Sequence, residues 1–286
     1  MKPAAFNYAK PTSVGEALGL LATHSGDAKI LAGGQSLIPT LNMRLSTPFL
    51  LIDINGIDDL SGISVTGGQV RIGALTRHVE IENSSKIAKH VPLIALAMPS
   101  IAHPAIRNRG TIGGSIAMAD PAAELPACLC ALDSEIEITG PAGVRGVAAK
   151  YFFKSLYETD AGENEILTAI KIPKIAKGYR SAFDELARRH GDYAMCGVVA
   201  HGKCDGDIIS DLKLVFFAVG GTPVIATDAM DAMEGMAVND ESIIAAQKAL
   251  DNDLETFSDL HCSATLRMHY AKVLTKRVLT SLVKPK

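Results

Sequence analysis

Up to about residue 175 the chain alternates short apolar blocks at helical and at strand spacing, punctuated by glycine, proline and small polar residues. Thr12 to His24 predicts a capped helix: Thr12 or Ser13 opens it, Glu16 sits in its first turn, and Ala17, Leu18, Leu20 and Leu21 supply an apolar face. Ala28 to Leu31 predicts a short strand, and Phe49 to Ile54 a second between Pro48 and Asn55-Gly56. A hairpin follows, with Ile63 and Val65 on one arm, Val70 and Ile72 on the other, and Gly67-Gly68 at its turn. Helices are expected from about Glu80 and from Leu93 to about Ala102. Ser134 to Ile138 and Val144 to Ala148 predict a second hairpin around Gly140-Pro141, and Glu165 to Ile172 a strand that stops at Pro173.

The polar stretch Lys174 to Gly178 marks the expected domain boundary, dividing the chain into 1–176 and 177–286. Beyond it, Ala194 to His201 and Ile208 to Val219 predict antiparallel strands joined at Asp205-Gly206, and two helices close the chain. The last repeats Leu266, Tyr270, Val273, Leu274 and Val278 at three- and four-residue steps, which predicts one apolar face. The second part therefore reads as a smaller α+β domain with an antiparallel sheet backed by helices.

Composition narrows the function classes. The chain has 286 residues, 48% hydrophobic, with a net charge of −3. That is enough for a substantial core, and it lacks the basic excess of a nucleic-acid binder. No apolar run reaches the roughly eighteen residues of a membrane span, and MKPAAFNYAKP has no signal-peptide character, so a cytoplasmic location is the expectation. Five scattered cysteines (128, 130, 196, 204, 262) show no cluster or zinc spacing and read as structural. The eight histidines form no ligand motif either, so no metal is expected.

Two diglycine segments carry candidate chemistry. Leu31-Ala32-Gly33-Gly34-Gln35-Ser36-Leu37 follows a predicted strand; Thr111-Ile112-Gly113-Gly114-Ser115 follows the basic segment Arg107-Asn108-Arg109. Paired glycines allow successive N–H groups to converge as an anion-binding nest, and two nests would suit a dinucleotide's diphosphate. Neither segment is a phosphate-binding loop of the GK[ST] kind nor a GxGxxG fingerprint. A single diglycine is more often just a turn, and Arg107 and Arg109 would equally serve to offset phosphate charge, to meet an acidic partner or to pair with surface carboxylates.

AGGQSL at 32–37, IRNRGTIGGS at 106–115 and ADPAAELP at 119–126 resemble the FAD-binding medium subunit of the molybdenum hydroxylase family, the carbon monoxide dehydrogenase, xanthine dehydrogenase and N-heteroaromatic hydroxylase group. The likeness spans essentially the whole chain and includes ARRHGDYAM at 187–195. It implies an α+β fold: a two-subdomain FAD-binding region of the p-cresol methylhydroxylase/vanillyl-alcohol oxidase type, then the smaller C-terminal domain. By resemblance, Ala32, Gly33, Gly34, Gln35, Ser36 and Leu37, with Thr111, Gly113, Gly114 and Ser115, would hold the FAD diphosphate. Ile101 with Ala102 would lie at the flavin end, Glu124 would contact FAD, and Leu167 and Tyr193 would neighbour the ring. Asp120 would equally cap a helix at Pro121, and Tyr193 would equally be a core aromatic.

The resemblance further implies a small subunit carrying [2Fe–2S] clusters, a large molybdopterin subunit and a dimer of heterotrimers. No catalytic acid, base or nucleophile is expected from this chain, and NAD, a quinone, a dye or dioxygen remain open as final acceptor. The competing readings are a self-sufficient FAD-dependent oxidoreductase and a nucleotide-binding scaffold that has lost flavin.

Overall fold

In the computed structural model, which describes residues 1–284, the chain opens on a βαβ unit. Strand β1 (Asn7–Ala9) leads into helix α1 (Val14–Thr23), whose N-cap is Ser13 accepting from the Glu16 N–H. Strand β2 (Ala28–Leu31), helix α2 (Leu37–Asn42) and strand β3 (Leu50–Asp53) follow. The three strands form a parallel sheet in the order β1-β3-β2, with Asn7 and Ala28 both opposite Leu50. A parallel sheet needs a helical crossover, and α1 supplies it between β1 and β2.

The second sheet is antiparallel, in the order β4-β5-β10-β6-β7. Its hairpins are β4 (Ile63–Thr66) with β5 (Gln69–Gly73) and β6 (Glu135–Gly140) with β7 (Gly143–Ala148), and β10 (Ile166–Pro173) lies between them. Six short helices fill the interval between β5 and β6: α3 (His78–Glu82), α4 (Ser85–His90), α5 (Pro92–Ala97), α6 (Pro104–Arg107), α7 (Ile112–Met118) and α8 (Glu124–Ala131). Between β7 and β10 lie helix α9 (Ala149–Phe152) and the small hairpin β8 (Phe153–Ser155) and β9 (Glu158–Thr159).

The third sheet runs β11-β12-β13-β14: β11 (Tyr179–Ala187), β12 (Ala194–Asp205), β13 (Ile208–Phe217) and β14 (Val224–Ile225). Helix α10 (Thr227–Asp231), the edge strand β15 (Met236–Ala237), helix α11 (Asp240–Asp253) and helix α12 (Ala264–Val283) complete the chain. Along β12 and β13 alternate residues enter different cores. Val199, Val215 and Phe217 join the helices of the second sheet's unit, while Val198, Ala200, Leu214 and Phe216 pack with α11 and α12. The long apolar stretches of these strands follow from a sheet covered on both faces.

One strand escapes the apolar pattern, and one expected face is corrected. The edge strand β11 did not emerge from the apolar pattern, because YRSAFDELA buries only Ala182 fully. The inward face of α12 is also rotated from the expected one. Leu266 is 38% exposed, whereas Arg267, Ala271, Leu274, Thr275, Val278 and Leu282 are buried. Arg267 goes inside because its guanidinium satisfies the carbonyls of Met195, Ala218 and Phe257 together with Asp259. The cysteines are free, and burial pushes the Cys130 and Cys196 thiols up to about 12, leaving them inert at neutral pH. No helix among the described residues is long and apolar enough to cross a membrane.

Candidate functional site

From the end of β2 the chain turns through residues 32–36 into α2, with Gly34 left-handed at φ +74°. The backbone N–H groups of residues 33–37 have no partner among the described residues, and the Gln35 amide folds back to donate to the Gly33 carbonyl at 3.1 Å. A run of unpaired, half-buried N–H groups is a positive concavity suited to an anion.

The second diglycine differs from the expected open nest. Gly113 and Gly114 lie in the first turn of α7, which Thr111 caps by accepting from the Gly114 N–H at 3.1 Å. The Gly113 N–H is also taken, by the Ala74 carbonyl at 2.8 Å. Gly113 is needed here for packing: a Cβ on it would lie 2.5 Å from that of Ala74. What this segment still offers an anion is the Thr111 N–H, the Ser115 hydroxyl and the exposed Arg109 side chain. It is fixed to residues 74–78 by the Ile112 N–H to Thr76 and the His78 N–H to Gly110, with Arg77 and Thr111 forming an antiparallel bridge.

The two segments touch. A Cβ on Gly33 would lie 2.5 Å from the Arg109 carbonyl oxygen, 2.9 Å from the Gly110 Cα and 3.1 Å from the Thr111 nitrogen. A bracing network that the sequence reading missed holds them in place. Asn55 donates from Nδ2 to the Ala32 carbonyl at 2.8 Å and accepts from Arg77 Nη2 at 2.6 Å; Arg77 Nη1 donates to the Arg109 carbonyl. Asp53 anchors Asn55 through two N–H donors and accepts the Tyr8 hydroxyl at 2.5 Å. Burial works to raise the Asp53 carboxyl, but the Tyr8 and Asn55 hydrogen bonds outweigh it and hold the group below its ordinary value. In the sequence Asn55 had shown itself only as the end of a strand.

The basic segment divides in two. Arg107 is buried and committed to partners within the chain. It pairs with Glu82 through Nε at 2.8 Å and Nη2 at 3.2 Å, and donates from Nη1 to the carbonyls of Ile101 and Ala102. Arg109 alone keeps an exposed guanidinium. Ile101 is buried, Ala102 is left-handed at φ +47°, and the buried Leu167 precedes Thr168, whose carbonyl accepts the Ala74 N–H.

A second group gathers around α8. Asp120 accepts the Ala122 N–H at 2.9 Å, so it closes a turn ahead of a helix that begins at Glu124 and not at Pro121. Glu124 is 8% exposed, and burial, reinforced by the Asp120 charge, pushes it up to about 7. Across from it on β11, burial and the Glu124 charge push Glu185 up to about 8, and its Oε2 has no partner among the described residues. Tyr193 is 72% exposed, which removes the core-aromatic alternative. Direct contacts therefore join Ala32 and Gly33 to 109–114, while Glu124 and Tyr193 form their own cluster about Asp120. His78, behind Gly110, is buried with both ring nitrogens unpartnered among the described residues, and burial pushes it down to about 4.

The donor set of 33–37 and 109–115 fits the diphosphate of a dinucleotide of the FAD type: free N–H groups and a close approach that demands glycine lie side by side. Comparison with known proteins agrees. Residues 4–175 match the family described as FAD binding domain in molybdopterin dehydrogenase, and 181–282 the CO dehydrogenase flavoprotein C-terminal domain. The 6-hydroxypseudooxynicotine dehydrogenase complex subunit alpha of Paenarthrobacter nicotinovorans is 38% identical over 98% of this chain and 95% of the relative. The nicotine 6-hydroxylase medium subunit of the same organism is also 38% identical, over 98% of each chain. The solved carbon monoxide dehydrogenase of Hydrogenophaga pseudoflava, in a form lacking the Mo-pyranopterin moiety, superposes with a TM-score of 0.96 at 38% identity, over 99% of this chain and 98% of that one. The chain belongs to the FAD-binding medium subunits of the molybdenum hydroxylases.

Proposed function

We propose that this subunit carries FAD as the electron exit of a three-subunit molybdenum hydroxylase, receiving electrons from [2Fe–2S] clusters of a small subunit while a large molybdopterin subunit oxidises the substrate. The observation that carries the reading is the contact of Gly33 with 109–111, which sets the unpaired N–H groups of 33–37 beside Thr111 and Arg109. When bound, FAD supplies the two-electron and one-electron chemistry that links clusters to an external acceptor.

The chain's own residues bind and orient. Residues 32–37 with Thr111 and Ser115 take the diphosphate, and Gly113 and Gly114 let α7 pack close enough to present them. Ile101, Ala102, Leu167 and Tyr193 bound the ring end, and Glu124 lies on the same side. No residue is required as acid, base or nucleophile, which separates this reading from a self-sufficient flavoenzyme. The arrangement is further read as two domains, 1–176 and 177–286, in a cytoplasmic dimer of heterotrimers. Native purification followed by partner and metal identification tests it. Oxidised-flavin absorbance is expected, with bleaching by substrate only when both partner subunits are present. Bleaching of the isolated chain by a small-molecule substrate would favour the self-sufficient enzyme.

A further inference from the structure

Two different arginines brace the site, and they share no hydrogen-bond partner, though Arg77 is the N-cap residue of α3, the helix that carries Glu82. Arg77 and Asn55 tie Ala32 to Arg109. Arg107 and Glu82 hold the turn at 101–102. That turn is backbone-strained: Ala102, which has a side chain, stands at φ +47°. One nitrogen, Arg107 Nη1, reaches both flanking carbonyls, Ile101 at 3.0 Å and Ala102 at 3.1 Å, while the opposite edge of the guanidinium forks onto both Glu82 oxygens. A planar guanidinium fixes these two directions relative to each other, which an ammonium group cannot do. The turn also seats the Tyr193 loop from the C-terminal part. Gly191 is left-handed at φ +85°, and a Cβ there would lie 2.7 Å from the Ala102 carbonyl oxygen and 2.7 Å from His103 Nδ1.

We infer that Arg107, oriented by Glu82, is the positioning residue for the ring end of the flavin site, acting independently of the diphosphate end. The inference rests on the flavin reading above. It extends that reading by separating what holds the nucleotide from what places the ring: Arg107 never faces the ligand, yet it sets the backbone of 101–102 and, through Gly191, the surface beneath Tyr193.

The test uses the protein with the subunits that accompany it on purification, stripped of flavin and titrated separately with FAD and with ADP, which has the adenosine and the diphosphate but no flavin ring. Arg107→Lys should keep ADP affinity within about twofold of wild type, as expected for a site that shares no partner with the diphosphate brace. It should weaken FAD by about tenfold or more and shift the midpoint potential of the flavin that does bind. Arg77→Lys should weaken FAD and ADP by the same factor. Glu82→Gln, which spares the arginine, should lower the FAD-to-ADP affinity ratio in the same direction as Arg107→Lys but less. Equal weakening of both ligands by Arg107→Lys, or an unchanged ratio and potential, overturns the inference alone. Failure of both Arg107→Lys and Glu82→Gln to fold also counts against it, as the mark of a plain structural pair. Wild-type protein that binds ADP but not FAD would instead remove the flavin reading, and this inference with it.

Discussion

Gly33 stands so close to the Arg109 carbonyl that no other residue fits: the Cβ of an alanine would lie 2.5 Å from that oxygen. The reason for glycine is the approach of a second backbone. At Gly34, by contrast, it is the left-handed φ of +74°. The two members of one pair therefore answer two separate physical demands.

Gly33→Ala should push the segments apart. Overpacking of this kind costs about 1–3 kcal/mol, and where it falls on binding FAD affinity drops about 5- to 150-fold. Flavin content after native purification and retitration of the apoprotein check this. Full flavin occupancy in the variant would show that the segments need not touch.

Asn55→Ala removes the donor to Ala32 and the acceptor for Arg77 at one stroke. With both partners left at the surface of the cradle, FAD affinity should fall about tenfold, with little change in apoprotein melting because Arg77 can turn to water. Isothermal titration beside a melting curve separates the two effects.

Arg267 is 1% exposed, its guanidinium is committed to three carbonyls and Asp259, and it lies over the Phe257 ring at 4.2 Å. Arg267→Met should cost about 3 kcal/mol, the scale for orphaning buried polar groups. Denaturant titration of the apoprotein reads it directly. A loss within experimental error would mean that the carbonyls of Met195 and Ala218 find other donors.

The acids near α8 make stability depend on pH. A carboxyl raised in the folded chain holds its proton more tightly there than when unfolded, so stability falls as pH climbs from about 4.5 through the values of about 7 for Glu124 and about 8 for Glu185. His78 slopes the other way: depressed from 6.5 to about 4, it costs stability as pH drops across that interval. Above pH 6.5 only the acids act. The melting temperature of the apoprotein should therefore decline between pH 6.5 and 8, and Glu185→Gln should flatten the decline. An equally steep decline in that variant would mean that Glu185 ionises without penalty.

Much of this was legible in the chain. Short apolar runs between turn residues gave β2, β3 and both hairpins, and AGGQSL with TIGGS carried the family resemblance that implied the ligand. The letters did not disclose why each glycine is there: Gly113 and Gly114 read like an open nest and turned out to be a helix pressed on Ala74. Nor did they disclose the brace, since Asp53, Asn55 and Arg77 are ordinary polar residues until the parallel sheet brings them to one edge. The apolar steps of α12 leave Arg267 out, because a periodicity count scores charge as outside. The burial of a guanidinium is decided by carbonyls that belong to distant strands.

Strands β12 and β13 send neighbouring side chains into opposite cores, Val198 toward α11 and α12 and Val199 toward the helices of the second sheet's unit. A layer sandwiched in this way cannot be a detachable appendage. Cutting the chain after Pro173 would leave helix α8, with its buried Leu125, Cys128 and Leu129, without the cover of β12 and β13. The severed fragment should aggregate, and swapping its C-terminal half for a homologue's would succeed only if both surfaces of the transplanted sheet matched their new hosts.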